Sequence, residues 1–236
     1  MFLLLTSSRL ISLILGWDGL GVISYLLVLF YSQSFSSLAA KLTVLSNRIG
    51  DCFIIVFVCL MFYLTPLSNS PTAPSFSPYF TFKDILALSS LFILLASITK
   101  RAQTPFSSWL PAAMSAPTPV SSLVHSSTLV TAGLFLLLFQ SRSPSSPSSR
   151  VFLTLSILTL IVSSLQACST SDLKALIAYS TLSQLSLIFL FLYFNLCSLA
   201  YLHICLHAFF KRALFLRAGS FIHQIKRSQD SRNLSF

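Results

Sequence analysis

Apolar residues gather in seven runs along the chain, at approximately 9–31, 46–66, 84–104, 117–140, 150–168, 172–194 and 197–222. Each is close to the roughly 20 residues that carry a helix across a bilayer. The connections between them are short and polar. Two are rich in serine and proline, 67–81 (LSNSPTAPSFSPYFT) and 141–149 (SRSPSSPSS), and read as aqueous loops without structure of their own. Residues 223–236 (HQIKRSQDSRNLSF) form a polar, basic tail. The pattern predicts an all-α fold: a polytopic transmembrane bundle of about seven helices over residues 1–222, with no soluble domain.

Composition agrees. The chain has 236 residues, 55% of them hydrophobic and 8% charged, with a mean hydropathy of +0.84. A soluble domain carries roughly 25% charge, so this chain could not clothe a surface in water. Glutamate is absent, and the carboxylates are Asp18, Asp51, Asp84, Asp172 and Asp230. Fifteen Lys and Arg give a net charge of +10. That sign suits anionic lipid headgroups or the negative side of a membrane. Nucleic acid is the soluble reading of such a charge, but the basic residues are scattered between apolar runs and form no stripe. Cys52, Cys59, Cys168, Cys197 and Cys205 stand singly, without a CxxC pair. They read as small buried hydrophobes, not as a disulfide frame or a metal site. The N-terminal stretch has no basic region ahead of its apolar residues and does not read as a cleaved signal peptide.

Basic residues give an orientation. Lys41, Arg48, Lys174, Lys226, Arg227 and Arg232 fall on one set of loops and ends, and Arg9, Lys83, Arg142 and Arg150 on the other. The first set is expected to face the negative compartment, which places Met1 on the positive side.

Residues 99–128 (TKRAQTPFSSWLPAAMSAPTPVSSLVHSST) interrupt the apolar pattern. Pro105, Pro111, Pro117 and Pro119 lie between Lys100 and His125. Proline removes a backbone donor and bends or stops a helix. The freed carbonyls must find partners in protein or water, because lipid offers none. Lys100 and His125 thus read as titratable groups beside a broken helix. The plainer reading is a surface loop with a snorkelling lysine.

Charges inside apolar runs are costly, at least about 2.5–3.5 kcal/mol near the bilayer centre, and usually face the bundle interior with a task. Asp18 has apolar sequence on both sides and Gly16, Gly19 and Gly21 close by, small residues that let a neighbouring helix approach. Its plainer reading is an interfacial aspartate near a helix end. Arg48 and Asp51, at i and i+3 in SNRIGD, share one helix face; they are either a local ion pair or part of a coupling device. An ammonium away from water releases its proton more readily, and an opposite charge such as Asp18 reverses this. His125 is followed by Ser126, Ser127 and Thr128, a run of hydroxyls able to pass protons with an imidazole.

In YLHICLHAFFKRALF, His203, His207 and Lys211 stand at i, i+4 and i+8. They form one polar stripe about 12 Å long on an otherwise apolar helix. Stacked titratable groups suit proton hopping. A metal site needs a third ligand, and HxxxH alone is weak. No nucleotide fingerprint, phosphate loop, haem-attachment motif or GxSxG context occurs.

The stretches GWDGLGVISYLLVLFY, SNRIGD, KRAQTPFSSWLPAAMSAPTPVSSLVHSSTLVTAG, SDLKALIAYSTLSQL and HICLHAFFKRALFLRAGS together resemble the antiporter-like membrane subunits of respiratory complex I (NADH:ubiquinone oxidoreductase), subunit 5 above all. Bacterial cation/proton antiporter subunits are similar, though less close over these stretches. The resemblance implies inverted repeats, each with a broken helix, and proton translocation driven by distant quinone reduction. It makes Lys100 the channel lysine, Asp18 its acidic partner where the family usually has glutamate, and Asp51 the acid of SNRIGD. It makes His125 a bridging histidine and His203, His207 and Lys211 the central polar axis. It implies a non-redox chain with no cofactor of its own. NADH, FMN, iron–sulfur clusters and ubiquinone are expected on other subunits. The expected partners are other membrane-arm subunits, a second chain completing the subunit, and the lipid bilayer; the expected place is the mitochondrial inner membrane. This chain covers an incomplete set of the family's helices, and Arg212 and Arg217 fall where the family is usually apolar. A cation/proton antiporter subunit and a truncated structural piece of the membrane arm are the alternative readings.

Overall fold

All seven apolar runs become mainly helical in the computed structural model of the chain, which describes residue 6 and residues 10–31, 34–69, 82–122, 128–140 and 148–224. Helix α1 spans Leu10–Val28, α2 Ser34–Asn69 and α3 Phe82–Lys100. After α3 come two short pieces, α4 (Trp109–Ala112) and α5 (Thr118–Val120), and then α6 (Leu129–Gln140). Three long helices follow: α7 (Ser148–Ser169), α8 (Leu173–Tyr193) and α9 (Cys197–Gln224). Among the described residues four stretches are long and apolar enough to cross a membrane: Ser36–Phe62, Arg150–Ser169, Leu173–Tyr193 and Cys197–Gln224. Ser12–Val28 and Ala87–Lys100 are shorter apolar helices.

Three boundaries differ from the pattern in the sequence. Helix α2 begins at Ser34, not at 46, so Lys41 lies on the helix and not in a connection, and Arg48 lies well inside it and not at its start. Its 36 residues reach about 54 Å, longer than the roughly 30 Å bilayer core. Helix α3 stops at Lys100, before 104. In the run 117–140, α5 and α6 are α-helical and residues 121, 122 and 128 form π turns, while residues 123–127 lie outside the described residues. The tail expected from 223 starts inside α9, and residues 225–236 lie outside the described residues.

The burial pattern is that of a bundle solvated by lipid. Large apolar side chains face outward, among them Leu15, Leu165 and Phe209. Small polar ones face inward, among them Ser24, Ser97, Thr99, Thr181 and Ser186. Each of these hydroxyls donates to a backbone carbonyl three residues earlier, as Ser97 does to Leu94 O at 2.7 Å and Thr181 to Ala178 O at 2.6 Å. A polar side chain satisfied within its own helix can line a core without a partner elsewhere. The five cysteines are free and exposed, contrary to the buried reading; on the outside of an apolar helix they face lipid as readily as any small hydrophobe.

Two cores position the interior charges. One joins α1, α2, α3 and α6 through Leu13, Trp17, Ile54, Phe57, Ile93, Ala96 and Leu136. The other gathers the broken stretch against α8 through Trp109, Leu110, Met114, Leu182, Leu185 and Phe189. Close approach between α2 and α3 depends on Gly50, where a Cβ would collide with Thr99 Oγ1. Gly21 on α1 likewise faces α3, but a Cβ at Gly19 would meet nothing within 4 Å, so Gly19 is no packing notch.

Candidate functional site

Lys100 ends α3 because the next two residues turn the chain. Ala102 takes a left-handed conformation with φ 54°. Its N–H bonds Thr99 O at 3.3 Å, and the Gln103 N–H bonds Ile98 O at 3.1 Å. These are the two reversed bonds of a Schellman stop, with alanine where glycine is usual. A non-glycine residue there costs roughly 1–2 kcal/mol. Trp109 of α4 returns to donate its Nε1–H to Thr99 O at 2.9 Å. The helix end is thereby closed by protein, as the absence of water in lipid requires.

The Lys100 side chain is 1% exposed and points towards α1. Its Nζ donates to Trp17 O at 3.4 Å and stands 5.0 Å from the centre of the Trp17 ring. It also lies 3.3 Å from where a Cβ on Gly21 would be, so the glycine makes room for the ammonium. Asp18 does not bond Lys100 directly. Its Oδ1 lies 3.1 Å from Arg48 Nη1, and the same nitrogen lies 3.5 Å from Asp51 Oδ2. Asp51 in turn accepts the Trp17 Nε1–H at 3.0 Å. Both carboxylates act electrostatically on Lys100, Asp51 more strongly than Asp18. One guanidinium thus bridges two acids, and both acids face one buried lysine. Asn47, buried beside Gly21, has both amide atoms without a hydrogen-bond partner among the described residues. Between α1 and α2 a cavity of about 500 Å³, lined by Asp18, Tyr25, Lys41, Asn47, Arg48 and Asp51, opens beside this cluster.

A second cluster lies on the α8–α9 side. His203, His207 and Lys211 do share one face of α9, with the two imidazole centres 6.4 Å apart and the rings 26° from parallel. His207 and Lys211 are buried. Lys211 Nζ donates to Ser180 Oγ of α8 at 2.6 Å, and the Ser180 hydroxyl donates to Ile177 O at 2.8 Å. The Nε2 atoms of His203 and His207 have no hydrogen-bond partner among the described residues. His125 lies outside the described residues, so its place between the two clusters is not part of this geometry. Among the described residues no three His, Cys, Asp or Glu side chains come together as a metal site.

The transmembrane family described as NADH:quinone oxidoreductase/Mrp antiporter, TM, matches residues 7–235. The chain belongs to that family. Relatives within reach include NADH-ubiquinone oxidoreductase chain 5 of Artemia franciscana, 48% identical over 236 residues, which are 99% of this chain and 41% of that protein. The protein of the same name from Locusta migratoria is 47% identical over 233 residues, covering 98% of this chain and 40% of its own length. The chain therefore spans about 40% of these relatives. Among solved structures, a chain of the Mrp complex from Dietzia sp. DQ12-45-1b superimposes with a TM-score of 0.84 at 29% identity, over 94% of this chain and 25% of that one. A chain of an archaeal membrane-bound sulfane sulfur reductase shares the fold, with a TM-score of 0.81 at 20% identity. A multi-pass antiporter-like membrane subunit is the architecture these likenesses establish.

For a member of this family the interior holds charges that sequence reasoning passed over. Lys174, which the sequence pattern puts at a helix end, is 8% exposed, and its Nζ donates to Ala116 O at 3.3 Å. It closes a carbonyl left without a helical partner where Ala116 turns extended, ψ 159°, before the next helical piece. The signal was present: a freed carbonyl demands a donor, and Lys174 opens α8. Arg101 is wholly buried, with its guanidinium carbon 4.0 Å from the centre of the Phe189 ring. Gly133 makes room for its stem, since a Cβ there would lie 2.9 Å from Arg101 Cγ. Gln103 accepts a hydrogen bond from Thr159 Oγ1 of α7.

Proposed function

We propose that this chain is the lysine-bearing portion of a proton-translocating, non-redox membrane-arm subunit of complex I, working in the mitochondrial inner membrane with other membrane-arm subunits. The observation that carries this reading is the buried Lys100 ammonium facing two carboxylates that share Arg48. The likeness to chain 5 proteins at 47–48% identity, against 29% for the Mrp chain, favours the respiratory complex over a cation antiporter. NADH, FMN, iron–sulfur clusters and ubiquinone belong in this reading to other subunits, and a further chain or segment supplies the rest of the subunit.

The chemistry follows from the charges. An ammonium in a low-dielectric interior keeps its proton only while a negative charge faces it. Asp51 and Asp18 can supply that charge or spend it on Arg48, because the guanidinium is shared between them. When Arg48 swings away from a carboxylate, that carboxylate holds the proton on Lys100. When Arg48 neutralises both, Lys100 releases its proton to neighbouring polar groups. The cavity lined by Asp18, Asn47 and Arg48 has room for water at this point. His203, His207 and Lys211 offer a further run of proton-carrying groups, with Ser180 as the acceptor at its end. His125 is proposed as the link between the two clusters.

Lys100→Met, in the assembled complex, tests the reading. The expected result is NADH oxidation without pumping, or loss of both, with normal assembly. Wild-type rates and wild-type proton stoichiometry would overturn it. Sodium-dependent transport that continues without NADH oxidation would favour the antiporter subunit instead.

A further inference from the structure

Consecutive residues at the end of α3 send opposite side chains in opposite directions. Lys100 reaches α1, and Arg101 reaches α8 and α6. Arg101 is 0% exposed, and its Nε, Nη1 and Nη2 have no hydrogen-bond acceptor among the described residues. The guanidinium rests on the face of Phe189, a contact that attracts a cation without neutralising it. Its electrostatic reach extends to His207 on α9. The charged or titratable groups tied to it are Lys100, its neighbour in the chain, and His207 on α9, which itself stands beside His203 and Lys211. All are basic. The two carboxylates of the Lys100 cluster pair with Arg48, and among the described residues no carboxylate forms an ion pair with Arg101.

A guanidinium is a permanent charge in proteins, unlike lysine or histidine. It can neither accept nor hand on a proton, and it repels any cation that approaches. We propose that Arg101 is an electrostatic barrier between the Lys100 cluster and the His207–Lys211 stripe, blocking free passage of protons and metal cations between the two. An arginine in a narrow polar path serves in this way because its charge raises the energy of any second positive charge beside it. The Phe189 face and the Gly133 notch keep the barrier in place without cancelling it. A proton then crosses only when a charge rearrangement elsewhere drives it, and passive leak is suppressed. The inference rests on the proposed proton-handling role of the chain and adds a residue that restrains it.

The test is passive leak through the assembled complex in sealed vesicles of its native membrane, with NADH oxidation blocked and a pH step imposed. Arg101→Met should collapse the gradient on the order of tenfold faster. Arg101→Lys, whose buried ammonium has no counter-charge to hold its proton, should leak faster than wild type at neutral pH and less as the pH falls and the ammonium stays charged. Equal leak in Arg101→Met and wild type overturns the barrier, as does a Lys variant whose leak does not fall as the pH is lowered. Where Arg101→Met does not assemble, Arg101→Gln is read in the same assay against the same outcomes. Loss of pumping in Lys100→Met with no leak in Arg101→Met would sink the barrier alone. Wild-type pumping in Lys100→Met would sink the proton-handling role itself.

Discussion

Trp17→Phe isolates one hydrogen bond in the Lys100 cluster. The Trp17 Nε1–H donates to Asp51 Oδ1 at 3.0 Å, while the Trp17 carbonyl, at 3.4 Å, and ring face Lys100. Phenylalanine keeps the backbone carbonyl, most of the packing against Ile54 and Ile93, and an aromatic face for the ammonium. It removes the donor. A hydrogen bond to a charged group contributes about 1.5–3 kcal/mol. Asp51 is partly buried, so the lower half of that range applies: about 1.5 kcal/mol, or roughly tenfold in the balance between charge arrangements. The freed carboxylate turns further towards Arg48, and Lys100 loses part of its stronger counter-charge. Coupled proton pumping should fall about tenfold, with assembly unchanged on a native gel. The deciding measurement is a double-mutant cycle with Asp51→Asn. In the Asn background the tryptophan donor no longer meets a charge, so Trp17→Phe should have little further effect. If the two effects simply add, or if Trp17→Phe pumps at the wild-type rate, Trp17 does not act through Asp51.

Ser180→Ala removes the hydroxyl that accepts from Lys211 Nζ at 2.6 Å. The lost charged hydrogen bond, about 1.5–3 kcal/mol, should slow coupled turnover about tenfold or more, and Ser180→Thr should restore it; an Ala variant at full rate would show that the contact is incidental. Ala102→Gly relieves the left-handed alanine in the helix stop after Lys100. Thermal unfolding of the assembled complex should shift upward, by a gain of about 1 kcal/mol, and a lowered midpoint would mean that the alanine methyl packs for more than its backbone costs.

The helical bundle was legible because its cause is one-dimensional. Lipid demands long apolar runs, and all seven were visible before their helices were. The stop after Lys100 was less so. Prolines suggested a break from Pro105 onward, yet the chain leaves the helix at Ala102, with no glycine to announce it. At the end of α8 the same two reversed bonds close on Asn195, φ 59°, a residue that adopts this conformation more readily. The apolar pattern leaves Lys41 in a connection and Arg48 at the start of a helix, whereas α2 begins at Ser34 and carries both within it. The α9 stripe was legible in full, since i, i+4 and i+8 depend only on helix geometry. The Asp18–Lys100 pairing implied by resemblance takes another form here: Arg48 occupies Asp18, and Asp51 is the stronger charge on the lysine.

What the sequence could not reveal is which way neighbouring charges point. Lys100 and Arg101 are adjacent, both basic and both nearly inaccessible, so in one dimension they look like a doubled cation at a helix end. Adjacent helical positions lie about 100° apart around the axis, and the tight stop at Ala102 leaves each side chain committed to a different neighbour. The direction of each is set by glycines on other helices: Gly21 opens a space for the Lys100 ammonium, and Gly133 opens one for the Arg101 stem. Neither glycine is near the lysine or the arginine in sequence. The consequence is a division of labour that composition hides. The cation facing Asp51 and Asp18 has counter-charges whose rearrangement can change its protonation, while the cation facing His207 has none and cannot titrate. Exchanging the two residues, Lys100→Arg with Arg101→Lys, would keep the charge and nearly the volume. It would still place a permanent charge where a titrating one is needed and a titrating one where the barrier stands.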